Sequence, residues 1–530
     1  MSNYEHNDAI EARRVALQAE LDAMKSAVER NQLGQFATPT QLARDVLAYG
    51  VSLLAPTAPI RFLDPAIGTG SFYSALLATC ETRSMTSAIG FEIDEHYGAP
   101  SQALWNGTSL KIILADFTQK MPPVDENQRA TLLICNPPYV RHHHLSGSDK
   151  ERLHASARDA ARVDLSGLSG LYCYFIAIAN GWMSEGAIAG WLIPSEFMDV
   201  NYGRALKAYL LREVKLLHIH RFDPNDVQFD DALVSSAVVW FENKKPPLNH
   251  RVTFSYGGTM QAPMHLKSIA AKDLNQTDKW TKYPKSDPSA PHDGYRLGDL
   301  FAIKRGIATG DNNFFIVDED KARSLKLPAR FLRPVLPSAR YVKTDEILSD
   351  ATGMPLLEKR LFLIDCDRPE DELKCDHPEL WDYLQTGRKD VATRFLCSSR
   401  RLWYLQERRP PAPIVCTYMG RSDHDGRPFR FILNQSEATA TNVYLMLYPK
   451  PLVAKQLARG TAGLRQFWEA LNSIDRDILL GNGRVYGGGL HKLEPKELAN
   501  VPADHLAALV GLSNKPVAPL QYDFDEIFVT

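Results

Sequence analysis

Asn136-Pro137-Pro138-Tyr139 is the tetrapeptide in this chain best equipped to hold a flat ring that carries an amino group. The Asn136 side-chain oxygen and the Pro137 carbonyl can both accept hydrogen bonds from one exocyclic amino group. Proline fixes φ and removes a backbone donor, so the two acceptors stay in place. The Tyr139 ring can stack on the plane of a base. The four residues close the apolar run Thr131-Leu132-Leu133-Ile134-Cys135, which reads as a buried strand. Taken alone, the tetrapeptide also suits an ordinary proline-rich turn after a strand.

A second set of residues stands upstream. Asp64-Pro65-Ala66-Ile67-Gly68-Thr69-Gly70-Ser71-Phe72 joins a predicted strand to a predicted helix, where a doubly wound sheet binds an adenosine-bearing cofactor. Its glycines would let a ligand approach the backbone. A dinucleotide fingerprint needs a third glycine three residues after Gly70, and Tyr73 stands there. Asp64 would repel a pyrophosphate and suit a ligand with positive charge. S-adenosylmethionine, with an ammonium and a sulfonium, meets that condition. Glu92 follows Gly70 by 22 residues, where an acid can accept both ribose hydroxyls. Asp116 can accept from an adenine amino group, and Phe117 can pack on that ring. Each acid alone also reads as a solvated strand-end residue; three in order at successive strand ends favour a cofactor site.

These residues need a scaffold of alternating elements. Strands are expected at Ile60–Leu63, Ser87–Glu92, Lys111–Leu114, Thr131–Cys135, Ala187–Ile193, Val214–Arg221 and Ser235–Phe241, with helices between most of them. That alternation predicts an α/β, doubly wound, Rossmann-like parallel sheet. The last strand follows its predecessor through a loop, which suits an antiparallel edge. A polar amphipathic helix is expected over residues 8–32. Asn243-Lys244-Lys245-Pro246-Pro247 reads as a linker, after which the alternating rhythm gives way to prolines and Arg-rich loops. The expected division is an N-terminal helical extension at 1–33, a cofactor-binding domain at 34–245, an α+β domain at 246–500 and a tail at 501–530.

Length and composition fit two or three globular domains: 530 residues, 44% hydrophobic and 23% charged. The net charge of −2 means that any nucleic-acid surface must be local. The seven cysteines are scattered and form no Cys-x-x-Cys pair, which suits reduced thiols in a cytoplasmic protein. The N-terminus does not read as a signal peptide, and no apolar run approaches a membrane span. His142-His143-His144 follows the Asn136 loop directly and reads as a flexible loop; no metal is expected.

With these residues in hand, the chain resembles the gamma class of adenine-N6 DNA methyltransferases of type II restriction–modification systems. The segment Gly34-Gln35-Phe36-Ala37-Thr38-Pro39 precedes the cofactor loop, as that family's first cofactor motif does, which implies cofactor roles for Thr38 and Pro39. Asp64 to Phe72, Glu92, Asp116-Phe117 and Asn136 to Arg141 follow in the family's order. Gly190 to Ser195 looks like its next core strand. Asp226 to Phe241 looks like its late motif, which makes Phe229 the aromatic that contacts the target base. Arg305 to Phe315 and Tyr486 to Leu490 look like segments bracketing a target-recognition domain.

The resemblance implies a class I S-adenosylmethionine-dependent methyltransferase domain plus a C-terminal target-recognition domain. It implies methyl transfer from S-adenosylmethionine to the adenine N6 of duplex DNA, with the base flipped out of the stack. Asn136 and Pro137 would hold the amino group, Tyr139 and Phe229 would sandwich the ring, and Pro138 would touch the cofactor. A cognate restriction endonuclease would be a functional rather than a stable partner, and the chain is expected to be a monomer in a bacterial cytoplasm, at the nucleoid through DNA. Residues 388–430 hold ten basic and four acidic side chains with five interleaved Trp, Tyr and Phe, and Arg408 and Arg409 are the expected phosphate contacts. Rival readings are a protein-glutamine or RNA methyltransferase, or a catalytically silent DNA-binding specificity subunit.

Overall fold

Strand periodicity sets the architecture of the first half. The computed structural model describes residues 3–80, 84–223, 235–276, 279–284, 294–421, 427–457, 461–486 and 490–512. The chain divides into two compact units, Met1–Ser289 with Tyr486–Gly489, and Ala290–Val485 with Leu490–Thr530. In the first unit β1 (Ile60–Asp64), β2 (Met85–Glu92), β3 (Leu110–Leu114), β4 (Ala130–Cys135) and β5 (Met183–Pro194) run parallel. Then come β6 (Lys215–Arg221), β7 (Ser236–Glu242), β8 (Arg251–Gly258) and β9 (Pro263–Ala270). Among the described residues they form one sheet in the order β3-β2-β1-β4-β5-β7-β6-β8-β9.

The alternation along each central strand sends its residues into two cores. In β4, Leu132 and Ile134 face one way and Leu133 and Cys135 the other. The first core also takes residues of α3 (Thr40–Leu53) and α4 (Ser71–Thr79). The second takes residues of α6 (Gly147–Ala161), α7 (Leu171–Ala179) and α8 (Gly203–Arg212). The sheet is therefore covered on both faces, which is why its inner strands are near-continuous apolar runs. Each fully buried Leu, Ile or Phe adds roughly 1.5–3 kcal/mol. Of the further helices α1 (Asn3–Ala23), α2 (Ala27–Leu33) and α5 (Glu95–Leu104), α1 packs on α4 and α5, and α5 packs on β3.

Four expectations need correction. β7 is antiparallel, but it is not an edge: it pairs with both β5 and β6. Its residues are buried on both faces, Ala237, Val239 and Phe241 in one core and Val238 and Trp240 in the other. The unit does not end at Lys245, because β8 pairs in parallel with β6 and β9 pairs with β8. Residues 1–33 are not a separate extension, since α1 belongs to the first unit. Residues 501–530 are not simply a tail: Val501, Ala503, Leu506 and Ala507 are buried in a core of the second unit. Phe229 lies outside the described residues.

The second unit is α+β. A five-stranded sheet runs in the order Phe301–Arg305, Tyr444–Pro449, Ile414–Thr417, Phe431–Asn434 and Glu346–Ile347. Its strands also split their residues between two cores, Cys416 and Leu445 into one and Val415 and Met446 into the other. A smaller sheet of Ile316–Asp318, Leu361–Ile364 and Leu332–Val335 packs with helix Pro378–Thr386 around Phe315, Leu363 and Leu384.

Candidate active site

Parallel strands bring their carboxyl ends to one edge, so residues far apart in sequence meet there. A cavity of about 850 Å³ opens at that edge. Pro65, Ala66, Gly68, Glu92, Asp116, Phe117, Asn136 and Pro138 line it, together with Phe36 and Ala37. The remaining expected site residues among those described are not on its wall, and each has another place.

The loop after β1 is tied down from three directions. Asp64 is only 1% exposed, and its carboxylate accepts from the Ala66 N–H at 3.1 Å. Burial pushes its pKa up to about 7; the Ala66 amide and the Cys135 thiol oppose this, and the charge of Glu92 adds to it. Asp64 thus shapes the loop from behind. Ile67 is buried in the core, and its N–H bonds to the Phe91 carbonyl. Gly70 has φ +88, and a Cβ there would sit 2.6 Å from the Trp105 indole nitrogen. That glycine is required by Trp105, whereas a Cβ on Gly68 would meet nothing within 4 Å.

Glu92 joins two loops. One oxygen accepts from Gly68 N–H at 3.1 Å and the other from Asp94 N–H at 2.8 Å. Burial raises its pKa, the two amides oppose the rise, and Asp94 adds to it. Each carboxylate oxygen keeps a further acceptor position for a hydroxyl on the cavity side. Asp116 caps the short turn Phe117–Gln119 through Thr118 N–H at 2.8 Å, and its second oxygen accepts from Gln119 at 2.8 Å. Phe117 packs edge-on against Phe91, with centroids 5.3 Å apart.

The Asn136 loop is held by the segment ahead of α3. The Asn136 amide nitrogen donates to the Phe36 carbonyl at 3.0 Å and to the Thr38 hydroxyl at 3.2 Å. A carbonyl only accepts, so the amide nitrogen must face Phe36, and the remaining polar atom is the acceptor oxygen. Thr38 is buried behind Asn136 and Pro39 is exposed at the start of α3. Pro137 is buried. The Tyr139 hydroxyl donates to the Leu192 carbonyl at 3.0 Å, and its ring lies 5.7 Å from that of Phe36 at 43°. Burial raises the phenol pKa well above its ordinary value. Gly34 closes on this loop from above, its carbonyl accepting from Tyr139 N–H at 3.4 Å.

Two walls of the cavity were not read from sequence. The first carries Gln18 and Asp22 from α1 and Lys25 from the turn after it. The Thr69 hydroxyl donates to Gln18 at 2.7 Å, and the buried Arg14 donates to Thr69 at 3.2 Å. Lys25 pairs with Asp94, which Gln35 also bonds at 2.7 Å. Burial alone would raise the Asp94 pKa, but Lys25 and Gln35 outweigh it and the net shift is downward. The second wall carries Arg152 of α6, which donates to the Thr118 hydroxyl at 3.0 Å and stands 3.5 Å from Asp116. A polar helix gives no local sign that its charges face a cavity. The one available hint was Asp94, two residues beyond Glu92.

In the second unit the expected phosphate contacts are already paired. Arg408 bonds both oxygens of Asp365 at 3.2 and 3.0 Å and stands 3.1 Å from Asp367. Arg409 pairs with Glu407 at 2.8 Å and donates to the Arg305 carbonyl. These acids neutralise the charge that a phosphate would meet. A count of basic residues could not show this, because Asp365 and Asp367 lie outside the segment counted.

Two family profiles match the sequence, the Eco57I restriction-modification methylase over residues 94–228 and the C-terminal domain of the type II methyltransferase M.Eco57I over residues 289–518. The type II methyltransferase M.AccI of Acinetobacter calcoaceticus is 26% identical over 491 residues, covering 89% of this chain and 85% of its own. M.XamI of Xanthomonas campestris pv. amaranthicola is 28% identical over 478 residues, covering 88% and 84%. Over most of its length the chain is similar to type II restriction–modification methyltransferases. Among solved structures, the type IIL restriction-modification enzyme MmeI in complex with DNA is similar at 13% identity and a TM-score of 0.48, covering 84% of this chain and 63% of its own.

The first unit has the doubly wound sheet and edge cavity expected of a class I methyltransferase, and S-adenosylmethionine is the cofactor that this expectation implies. The residues present fit that molecule. The cavity lies within the roughly 300–1,000 Å³ of ligand sites, and it joins an acid with spare acceptor positions, Glu92, to the apolar wall of Phe117, Phe175 and Pro138. The boundary of the second profile at residue 289 agrees with the division of the two units at Ser289, not with the expected one at Lys245.

Proposed function

We propose that this protein methylates the N6 amino group of adenine in duplex DNA, with the base turned out of the stack. The observation that carries this reading is the orientation of Asn136. Its amide hydrogens are committed to Phe36 and Thr38, so its oxygen is left as an acceptor beside Pro138 on the cavity wall. An adenine amino group offers two donors, and the Asn136 oxygen with the Pro137 carbonyl supplies two acceptors.

The cofactor, when bound, supplies an electrophilic methyl group. The chain's own residues orient the acceptor. The adenine amino nitrogen is a weak nucleophile because its lone pair is delocalised into the ring. Accepting both hydrogens favours a pyramidal nitrogen whose lone pair is free to react. This is preorganisation by fixed dipoles rather than base catalysis. The proton leaves after the methyl arrives, so no strong base is needed at the start. In a duplex the nitrogen is paired and out of reach, and extruding the base costs a few kcal/mol. Glu92 is assigned to the cofactor ribose, and Asp116 with Phe117 to its adenine. Modification of this kind would protect host DNA from a cognate endonuclease.

Expression in a host without adenine methylation, followed by long-read mapping of modified bases, tests the reading. N6-methyladenine at one recurring sequence is the expected result. Methylated cytosine, or no mark on DNA, would overturn it.

A further inference from the structure

Phe395 is the only phenylalanine or tryptophan among the described residues that stands exposed, at 82% of its surface. An aromatic ring in water is costly to keep there, since full burial of such a side chain stabilises by roughly 1.5–3 kcal/mol. Leu396 beside it is also exposed. The two head the short helix Phe395–Ser398 in the second unit.

The backbone beneath them is held firmly. Arg400 donates to the Thr309 carbonyl at 2.9 Å and to the Ala308 carbonyl at 2.8 Å. Arg394 pairs with Asp311 at 2.7 Å, and Asp311 in turn caps helix Asn312–Phe315. Cys397 is fully buried against Thr309. The segment Arg305 to Phe315 therefore serves as a platform, and two of the arginines around Phe395 act as its fasteners. Other cations remain. Lys389 and Arg401 are exposed and make no hydrogen bond or ion pair among the described residues. Residues 388–401 carry five basic side chains and one acid, Asp390.

A rigidly presented aromatic ring with an exposed, unpaired cation six positions to either side in the chain matches the chemistry of stacked bases between phosphates. Apolar wedges of this kind unstack base steps and kink the duplex. We propose that Phe395 is such a wedge, inserted between base pairs of the DNA substrate, with Lys389 and Arg401 meeting the flanking phosphates. The proposal rests on the DNA reading above and adds to it the residue that deforms the duplex.

The full chain is tested with a duplex carrying the sequence found by methylation mapping. Phe395→Ala should weaken binding about 10- to 100-fold, as loss of base–aromatic stacking does, with the salt dependence unchanged. Phe395→Trp should stay within about 3-fold of the natural protein. Lys389→Ala and Arg401→Ala should each lower the salt slope by about one unit. Plasmid relaxed by topoisomerase in the presence of the protein should show unwinding that Phe395→Ala reduces. Because Phe395 is exposed, thermal unfolding of the variant should match that of the natural protein. If the natural protein methylates the duplex and Phe395→Ala binds and unwinds DNA equally well, the wedge is overturned while the DNA reading stands. If Phe395→Ala instead abolishes only self-association, the wedge is likewise overturned. A natural protein that binds and methylates no DNA overturns both.

Discussion

The side-chain amide of Asn136 donates to the carbonyl of Phe36 at 3.0 Å, across 100 residues of sequence. That contact fixes which end of the amide is left to accept. Asn136→Ala removes the acceptor and should lower the methyl-transfer rate by about 10²–10³ or more. Asn136→Asp should fail as well, because a carboxylate would face the Phe36 carbonyl with no hydrogen between them. Calorimetric titration with S-adenosylmethionine should show little change for Asn136→Ala. Near-normal single-turnover rates would remove Asn136 from the catalytic role.

Gly34 is the second link between the same two segments. It has φ +66 and ends α2, and a Cβ there would lie 2.4 Å from the Tyr139 backbone nitrogen. Gly34→Ala should cost more than about 1 kcal/mol of stability from the left-handed backbone alone, with the overlap in addition. It should also slow turnover, since Tyr139 and Asn136 share one loop. Denaturant unfolding and turnover measured together check this; a variant of unchanged stability and rate would show that the loop can move aside freely.

How much of this was legible in the sequence depends on how local each signal is. The strand-end positions of the Asp64 loop, Glu92 and Asn136 were readable because each is a short segment after an apolar run, and parallel strands bring such ends together. β7 was misread as an edge, although its run Ser236 to Phe241 carries no polar residue after the first, as a strand buried on both faces requires. The boundary at Lys245 was misread because two prolines look the same before a linker and before another strand. Only the pairing of β8 with β6, a contact distant in sequence, decides between them. The wall made by α1 was invisible for the same reason: Gln18 meets Thr69 through space, and nothing in its neighbours announces it.

Glu92→Ala should weaken S-adenosylmethionine binding by about 2 kcal/mol, from loss of charge-assisted hydrogen bonds. The same change leaves the Gly68 and Asp94 N–H groups without their acceptor, so the unliganded protein should also melt at a lower temperature. Glu92→Gln can accept from only one of the two amides, its nitrogen facing the other N–H, and should fall between. Unchanged affinity in Glu92→Ala would return this residue to a purely structural role.

The buried pair of Glu11 and Arg14, with the two closer than 3 Å, anchors α1 over the cofactor loop. Glu11→Ala leaves Arg14 buried without its counter-charge and should cost about 3 kcal/mol. Adding Arg14→Leu should restore much of that stability, because an apolar side chain then fills the space. It should not restore cofactor affinity, since Thr69 has lost its Arg14 contact. Recovery of both stability and affinity in the double variant would show that α1 is packing alone and does not position the loop.

Asp64 gives a prediction with a defined pH window. Burial holds its folded pKa up at about 7, above its ordinary 3.8. A carboxyl with a raised folded pKa favours the fold while it stays protonated. That advantage is complete below about 3.8, declines as the unfolded chain ionises, and is gone once pH passes about 7. Asp64→Asn keeps an oxygen to accept from the Ala66 N–H but never ionises. The two proteins should therefore melt at similar temperatures near pH 4. The Asn variant should become progressively more stable than the natural protein up to about pH 7, by on the order of 4 kcal/mol for a shift of about three units, and the gap should then stay constant. S-adenosylmethionine, which is cationic, should narrow the gap by compensating the buried charge. Thermal unfolding of both proteins from pH 4 to 8, with and without the cofactor, makes the comparison. A gap that shrinks as pH rises would mean that Asp64 is ionised and stabilised in the fold, with a pKa below its ordinary value, and the reading of a buried acid behind the loop would be lost.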